Sequence, residues 1–398
     1  MLADRIPAIQ DALAEAGVDG WLFALFQAND PISLDLLGFG RDKLLTRRCY
    51  YLVPRRGEPV KLVHRLEPAM LDHLPGEKRA YLTWREHAEA VARLVGGAGG
   101  RRIAAQYSPD AAIPTVSPLD AGTAHLLRGA GAELVSSADL VQRFAATWSP
   151  EQLAGHRRAC TALHEIALAA FERVRAALAA GREESEHAVQ RFILERFEQA
   201  GLHTESPPIV GVNAHSADPH FQPSAETSSP IRRGDFLLVD LWAKEKAAAD
   251  SVYADITWCG VCAPAPTDRQ QEVWATVAAA RDAALDLVRS RYPAEPVAGY
   301  EVDDAARGVI RDAGYGERFI HRTGHSIHVS DHGPGANMDN LETHDTRLLL
   351  PWTGFSIEPG IYLEGDFGVR SEINVALTPD GAEVTGGEPQ RELLRLAG

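Results

Sequence analysis

Four carboxylates and one imidazole stand out in this chain, in the order Asp240, Asp255, His325, Glu358 and Glu372. Glu358 and Glu372 sit on the two arms of a predicted β-hairpin. Its strands run from Phe355 to Leu363 and from Val369 to Leu377, and Glu364 to Gly368 between them is turn-like. Both glutamates lie seven residues from Gly365, so antiparallel pairing sets them opposite each other, with Cβ atoms roughly 5 Å apart. Two like charges in that position destabilise a sheet, and a divalent cation between them reverses the penalty. Asp240 ends the apolar run that starts at Asp235, and Asp255 lies within Ser251 to Trp258. These segments read as two more strands, joined by the polar, alanine-rich stretch Lys244 to Asp250. His321, His325, His328 and His332 fall between the two strand pairs. Mostly hard oxygen donors with one imidazole suit two divalent ions held side by side.

The elements that must position these groups are ordinary. Residues 3–16 read as an amphipathic helix and Gly20 to Phe26 as a buried strand. Arg48 to Pro54 and Pro59 to His64 read as a hairpin. Helices are predicted over Glu86 to Leu94 and within Ala121 to Gly131, which gives a small α/β domain up to residue 146. Ser149-Pro150-Glu151 is a helix start: an N-cap residue, a proline in the first turn, then an acid. A long helix is predicted from there to Ala180, stopped by Gly181, and a second from Ser185 to Ala200, stopped by Gly201.

Length and composition bound the rest. A chain of 398 residues, with 45% hydrophobic and 24% charged residues, is globular and predicts two domains. The net charge of −15 argues against nucleic acid or an anionic membrane as a partner. No apolar stretch reaches the ~18 residues that a spanning helix needs. The first residues lack the basic and apolar regions of a signal peptide, so the cytoplasm is the expected compartment. Four scattered cysteines make no disulfide framework, and Cys259 and Cys262 read as packing residues despite their CxxC spacing.

The order and neighbours of the five residues resemble those of the pita-bread metallopeptidases: methionine aminopeptidase, aminopeptidase P and prolidase. The contexts that carry the resemblance are Leu-Val-Asp240, Asp255-Ile-Thr, Gly324-His325, Ile357-Glu358-Pro-Gly and Arg370-Ser-Glu372. It covers residues 150–398, and the preceding part is similar to the N-terminal domain of the proline-specific members. It implies an α/β (α+β) protein with an N-terminal α/β domain over 1–146. A pita-bread catalytic domain would follow over 147–398, a bent antiparallel sheet flanked by helices. It also implies that Asp240, Asp255, His325, Glu358 and Glu372 hold two divalent ions, Mn2+ foremost, with Co2+, Zn2+ or Fe2+ as other occupants. Asp255 and Glu372 would bridge them. A hydroxide generated between the ions would attack the carbonyl before proline, with Glu358 as proton shuttle.

The same resemblance carries over to three more histidines. His220 in Pro219-His220-Phe221 lies nine residues after Gly211, and His332 seven after His325. Both are expected to hydrogen-bond the substrate carbonyl or the developing oxyanion, with His321 lining the site beside them. His215, His328 and His344 read as ordinary residues. The expected substrate is a small peptide, an Xaa-Pro dipeptide, with an Xaa-Pro aminopeptidase acting on longer peptides as the alternative. A dipeptide needs an arginine for its carboxylate; Arg370 and Arg41 are the candidates. A homodimer is expected by analogy alone.

The chain departs from the family pattern in places. The two aspartates are 15 residues apart, beyond the usual family spacing, which an insertion around Lys244 to Asp250 accounts for. Trp242, Trp258, Ser206 and Asn374 replace the family's glycine, arginine, tyrosine and aspartate. These changes bear on substrate range more than on metal binding.

Overall fold

The computed structural model describes residues 2–39, 45–96 and 100–397. The chain divides into two compact units, Met1–Ala145 and Ala146–Gly398.

The first unit is a six-stranded mixed sheet covered on both faces. Its strands are β1 (Gly20–Leu25), β2 (Cys49–Pro54), β3 (Val60–His64), β4 (Glu77–Tyr81), β5 (Arg101–Ala105) and β6 (Ala132–Ser136), in the order β4-β3-β2-β1-β5-β6. The period-two pattern of β1 explains the two layers. Trp21, Phe23 and Leu25 pack with helices α1 (Leu2–Glu15), α2 (Pro31–Leu36) and α5 (Ala138–Ala145), whereas Leu22 packs with α3 (Trp84–Val95) and α4 (Ala121–Gly129). The hairpin of β2 and β3 forms as the sequence suggests.

The second unit opens with α6 (Pro150–Ala179) and α7 (Glu186–Gln199). Ser149 caps α6 in a reciprocal box: its hydroxyl accepts from Gln152 N, and the Gln152 side chain accepts from Ser149 N. Strands β7 (Leu202–His203), β8 (Ile209–Val212), β9 (Phe236–Glu245) and β10 (Ala254–Val261) follow. Helices α8 (Asp268–Arg291) and α9 (Gly299–Asp312) come next, and then β11 (Ser326–Ile327), β12 (Gly354–Ile357), β13 (Gly360–Leu363), β14 (Phe367–Arg370), β15 (Ile373–Thr378), β16 (Gly381–Thr385) and β17 (Leu394–Arg395). One sheet is ordered β17-β10-β9-β7 with β8 also paired to β9; another is β11-β12-β15-β16; β13 and β14 form a two-stranded ladder.

Alternation along β9 sorts its residues. Leu237, Val239 and Leu241 pack with α6 and α7, while Phe236 and Leu238 pack with α8 and α9. Asp240 continues the second set. On β10 the same face carries Asp255 and Thr257, in line with the buried Cys259 and Val261. All four cysteines are free and buried.

Candidate metal centre

Asp240 and Asp255 come together through register. Asp240 pairs with Thr257 and Asp255 with Trp242, so the aspartates are diagonal neighbours on one face. The glutamate hairpin differs from the continuous one predicted. Ile357 pairs with Ile373 and Gly360 with Arg370, and between these ladders two residues on each arm leave the pairing: Glu358-Pro359 and Ser371-Glu372. Pro359 has no N–H to give to a ladder. The register is kept across the gap, so Glu358 and Glu372 still face each other. The freed backbone bonds elsewhere: Glu358 N donates to Thr323 O at 2.7 Å and Glu372 N to Thr257 O at 3.2 Å. The latter ties the hairpin to β10.

His325 precedes β11 and is fixed by Ser356, whose hydroxyl accepts from His325 N at 3.0 Å and donates to Glu358 Oε1 at 3.0 Å. This approach requires Gly324: a Cβ there would lie 1.9 Å from Ser356 O. His325 Nε2 then lies 3.4 Å from Glu358 Oε1 and 3.6 Å from Asp255 Oδ2. Ligand atoms of Asp255, His325 and Glu372 all fall within 4.8 Å of one another. Thr257 knits the rest: its hydroxyl lies 3.0 Å from Asp240 Oδ1 and 2.8 Å from Glu372 Oε2 as donor, and accepts from Arg370 Nε at 3.0 Å.

Asp240, Asp255 and Glu372 are each buried to 5% exposure or less. Burial, followed by the charges of its acidic neighbours, holds the Asp255 carboxyl well above its ordinary range, and the same causes do so for Glu372. Burial raises Asp240 as well, against the pull of Arg370. Burial also pushes Glu358 upward, but His325, Arg370 and His321 together outweigh it and hold this carboxyl below its usual range. Asp255 Oδ1 and Glu372 Oε1 are shut from solvent with no hydrogen-bond partner. An unpaired buried carboxylate oxygen is costly. A divalent cation satisfies it and reverses the local pKa logic, so this donor set fits metal.

One expectation needs correction. Arg370 does not reach out as a carboxylate clamp. It is buried, and its donors are spent on Asp240 Oδ2, Thr257 Oγ1, the Tyr362 hydroxyl and Pro219 O. His321 lies beside the cluster with both ring nitrogens engaged by the protein. Its Nδ1 lies 2.7 Å from Arg322 O, a carbonyl that can only accept, so that nitrogen carries the proton. Nε2 is then the acceptor for the Tyr362 hydroxyl at 2.7 Å, while Tyr362 accepts from Arg370 Nη1 at 3.2 Å. Burial pushes His321 down to about 4, which keeps this neutral form. His321, Tyr362 and Arg370 thus form one chain that ends on Asp240.

His332 is placed differently. Its Nδ1 accepts from Arg322 Nη2 at 3.3 Å, and a guanidinium only donates, so the proton sits on Nε2. Its ring lies 4.2 Å from that of His325. The charge of His325, with burial second, pushes His332 down to about 3. His220 lies on an exposed loop and acts on His332 through its charge. That loop is anchored by His215, which bonds the buried Glu186 at 2.9 Å and stacks on Phe221 at 4.0 Å. Arg41 falls outside the described residues. Sequence reasoning missed Arg322, Asp331, Tyr362 and the anchoring role of His215. Only the Asp255-Ile-Thr257 context hinted at Thr257.

Comparison with known proteins bears on this geometry. The model of metallopeptidase family M24 matches residues 156–379, more than half the chain and all five residues of the cluster. The chain belongs to metallopeptidase family M24. A relative named probable dipeptidase PepE, from Mycobacterium tuberculosis, is 27% identical over 382 residues, covering 96% of this chain and 93% of that one. The Xaa-Pro dipeptidase of Lactobacillus delbrueckii subsp. lactis is 33% identical over 186 residues, 47% of this chain and 46% of its own. Among solved structures, dipeptidase PepE from Mycobacterium ulcerans superposes with a TM-score of 0.72 at 26% identity, covering 100% of this chain and 98% of that chain. This M24 peptidase therefore shares the pita-bread fold and a metal-dependent family. Among its described residues, no helix is long and apolar enough to cross a membrane.

Proposed function

We propose that this M24 peptidase hydrolyses Xaa-Pro dipeptides with two divalent ions, Mn2+ foremost, held by Asp240, Asp255, His325, Glu358 and Glu372. The observation that carries the reading is the pair of buried, partnerless oxygens, Asp255 Oδ1 and Glu372 Oε1, on carboxylates gathered around His325. Such ions, when bound, supply Lewis acidity and a nucleophile at neutral pH.

The protein's own groups divide the remaining work. Glu358, held below the usual carboxyl range, is ionised and so able to take a proton and pass it towards the leaving nitrogen. That delivery matters for proline, whose acylated nitrogen has no N–H. His332 presents Nε2–H to the substrate carbonyl oxygen, with Arg322 fixing the tautomer. Arg370 and Thr257 hold Asp240 in place. With Arg370 occupied, Arg322 takes over as the candidate for the dipeptide carboxylate. It is half-buried beside His332, and among the described residues its guanidinium bonds only His332 Nδ1. The Xaa-Pro dipeptidase of Lactobacillus delbrueckii supports the substrate class by similarity.

Proline release from Ala-Pro beside alanine release from Ala-Pro-Ala, with Mn2+-loaded protein, tests the reading. Cleavage of the dipeptide alone supports it. Preferred cleavage of the tripeptide replaces it with an Xaa-Pro aminopeptidase.

A further inference from the structure

A third carboxylate shares the partnerless condition of Asp255 and Glu372. Among the described residues, the only buried carboxylate oxygens without a hydrogen-bond partner are Asp255 Oδ1, Glu372 Oε1 and Asp331 Oδ1. Among the described residues, Asp331 has no lysine or arginine within ion-pair distance, and its one ion-pair neighbour is His332, whose Nε2 lies 3.8 Å from Oδ2. The loop that presents it is built. Gly333 N donates to Ser326 O at 2.6 Å, Gly335 N to Ser326 Oγ at 3.0 Å, and Lys244 Nζ reaches Val329 O at 2.6 Å. Ligand atoms of His325, Asp331 and His332 lie within 4.8 Å of one another, the same limit met by Asp255, His325 and Glu372, so His325 belongs to both groups. Oxygen and nitrogen ligands at ~2.0–2.2 Å from one ion stand at most ~4.4 Å apart, so a small contraction closes this group on a cation. Within it, His332 has Nδ1 engaged by Arg322 and its proton on Nε2, which leaves Asp331 as the free ligand.

We propose that Asp331 is a sixth protein ligand of the metal centre, supplying a carboxylate oxygen to the ion held by His325. The inference rests on the metal-centre reading above. This sixth ligand, the fifth that is anionic, raises the affinity of that ion and occupies a coordination position.

Calorimetric titration of Mn2+ into the metal-stripped full chain tests it, comparing wild type with Asp331→Asn. The near-isosteric variant is expected to bind at least one ion about 10–100-fold more weakly, the loss typical even of an outer-shell partner. Asp331→Cys loaded with Co2+ separates coordination from charge alone: a thiolate-to-cobalt charge-transfer band, absent from Co2+-loaded wild type, is expected. Wild-type Mn2+ affinity and stoichiometry in Asp331→Asn, or Co2+ bound by Asp331→Cys without that band, overturns the proposal. Failure of the underlying reading looks different, because wild type itself then takes up no Mn2+.

Discussion

The side-chain amide of Asn374 grips the backbone of Asp255 at both of its polar groups. Asn374 Oδ1 accepts from Asp255 N at 2.9 Å, and Nδ2 donates to Asp255 O. β15, which follows Glu372, therefore sets the position of a metal-facing residue on β10. Asn374→Ala removes both bonds at once. Mn2+ affinity is expected to fall about 10–100-fold, as for other partners that orient ligands. Calorimetry on refolded, metal-stripped protein checks this, and unchanged affinity would show that the β10 ladder alone positions Asp255.

His332 and Tyr362 are expected to fail in different ways. His332→Ala removes a donor aimed at the substrate oxygen, so kcat should drop about 10²–10³-fold with both ions retained. Tyr362→Phe breaks the chain from His321 to Arg370, leaving Arg370 less firmly placed on Asp240. Its expected signature is weaker metal binding with a smaller loss of turnover. Metal content and steady-state kinetics on the same preparations distinguish the two.

Acid should expel metal before it unfolds the protein. Asp255 and Glu372 have raised pKa values in the metal-free protein, so the native state holds protons that the unfolded chain has released. The stability that this contributes is lost as pH rises through the folded pKa values. Metal must displace those same protons. The stabilisation by Mn2+ is therefore expected to grow with pH, with a larger rise in Tm at pH 8 than at pH 6. Equal rises at both pH values would contradict the placement of protonated carboxyls at the site.

A separate acid sensitivity lies at His156, which is not one of the proposed ligands. This fully buried ring bonds Tyr253 O at 2.6 Å and the Thr385 hydroxyl at 2.8 Å, and burial pushes it down to about 4. Between its unfolded value and about 4, only the unfolded chain takes up the proton. Stability is lost as pH falls through that window, by up to roughly 3 kcal/mol. His156→Gln should flatten the dependence of Tm on pH between 7 and 5, and a slope as steep as wild type would count against it.

The parts of the site legible in the sequence were those carried by local periodicity. Asp240 and Asp255 could be found because strand alternation puts every second residue on one face. Glu358 and Glu372 could be paired because equal spacing from Gly365 survives the break at Pro359. The start of α6 was legible because capping is a contact over three residues. What escaped was made by loops that meet only in the fold. Arg370 carries the charge a clamp needs, but sequence does not show that Asp240, Thr257 and Tyr362 consume its donors. The hydrogen bonds of His321 were not legible, because its tautomer depends on a carbonyl one residue away and a hydroxyl 41 residues on. Nothing local in the sequence singles out Asp331, because the burial of its partnerless Oδ1 is made by the fold.

The most direct test of the central claim counts bound Mn2+ per chain and measures proline release from Ala-Pro on the same samples of wild type and Glu372→Ala. The expected result is two ions per chain with turnover in the wild type, and loss of both in the variant. Turnover that survives in Glu372→Ala, or in wild type stripped of metal, would contradict the assignment of these residues to a hydrolytic metal centre.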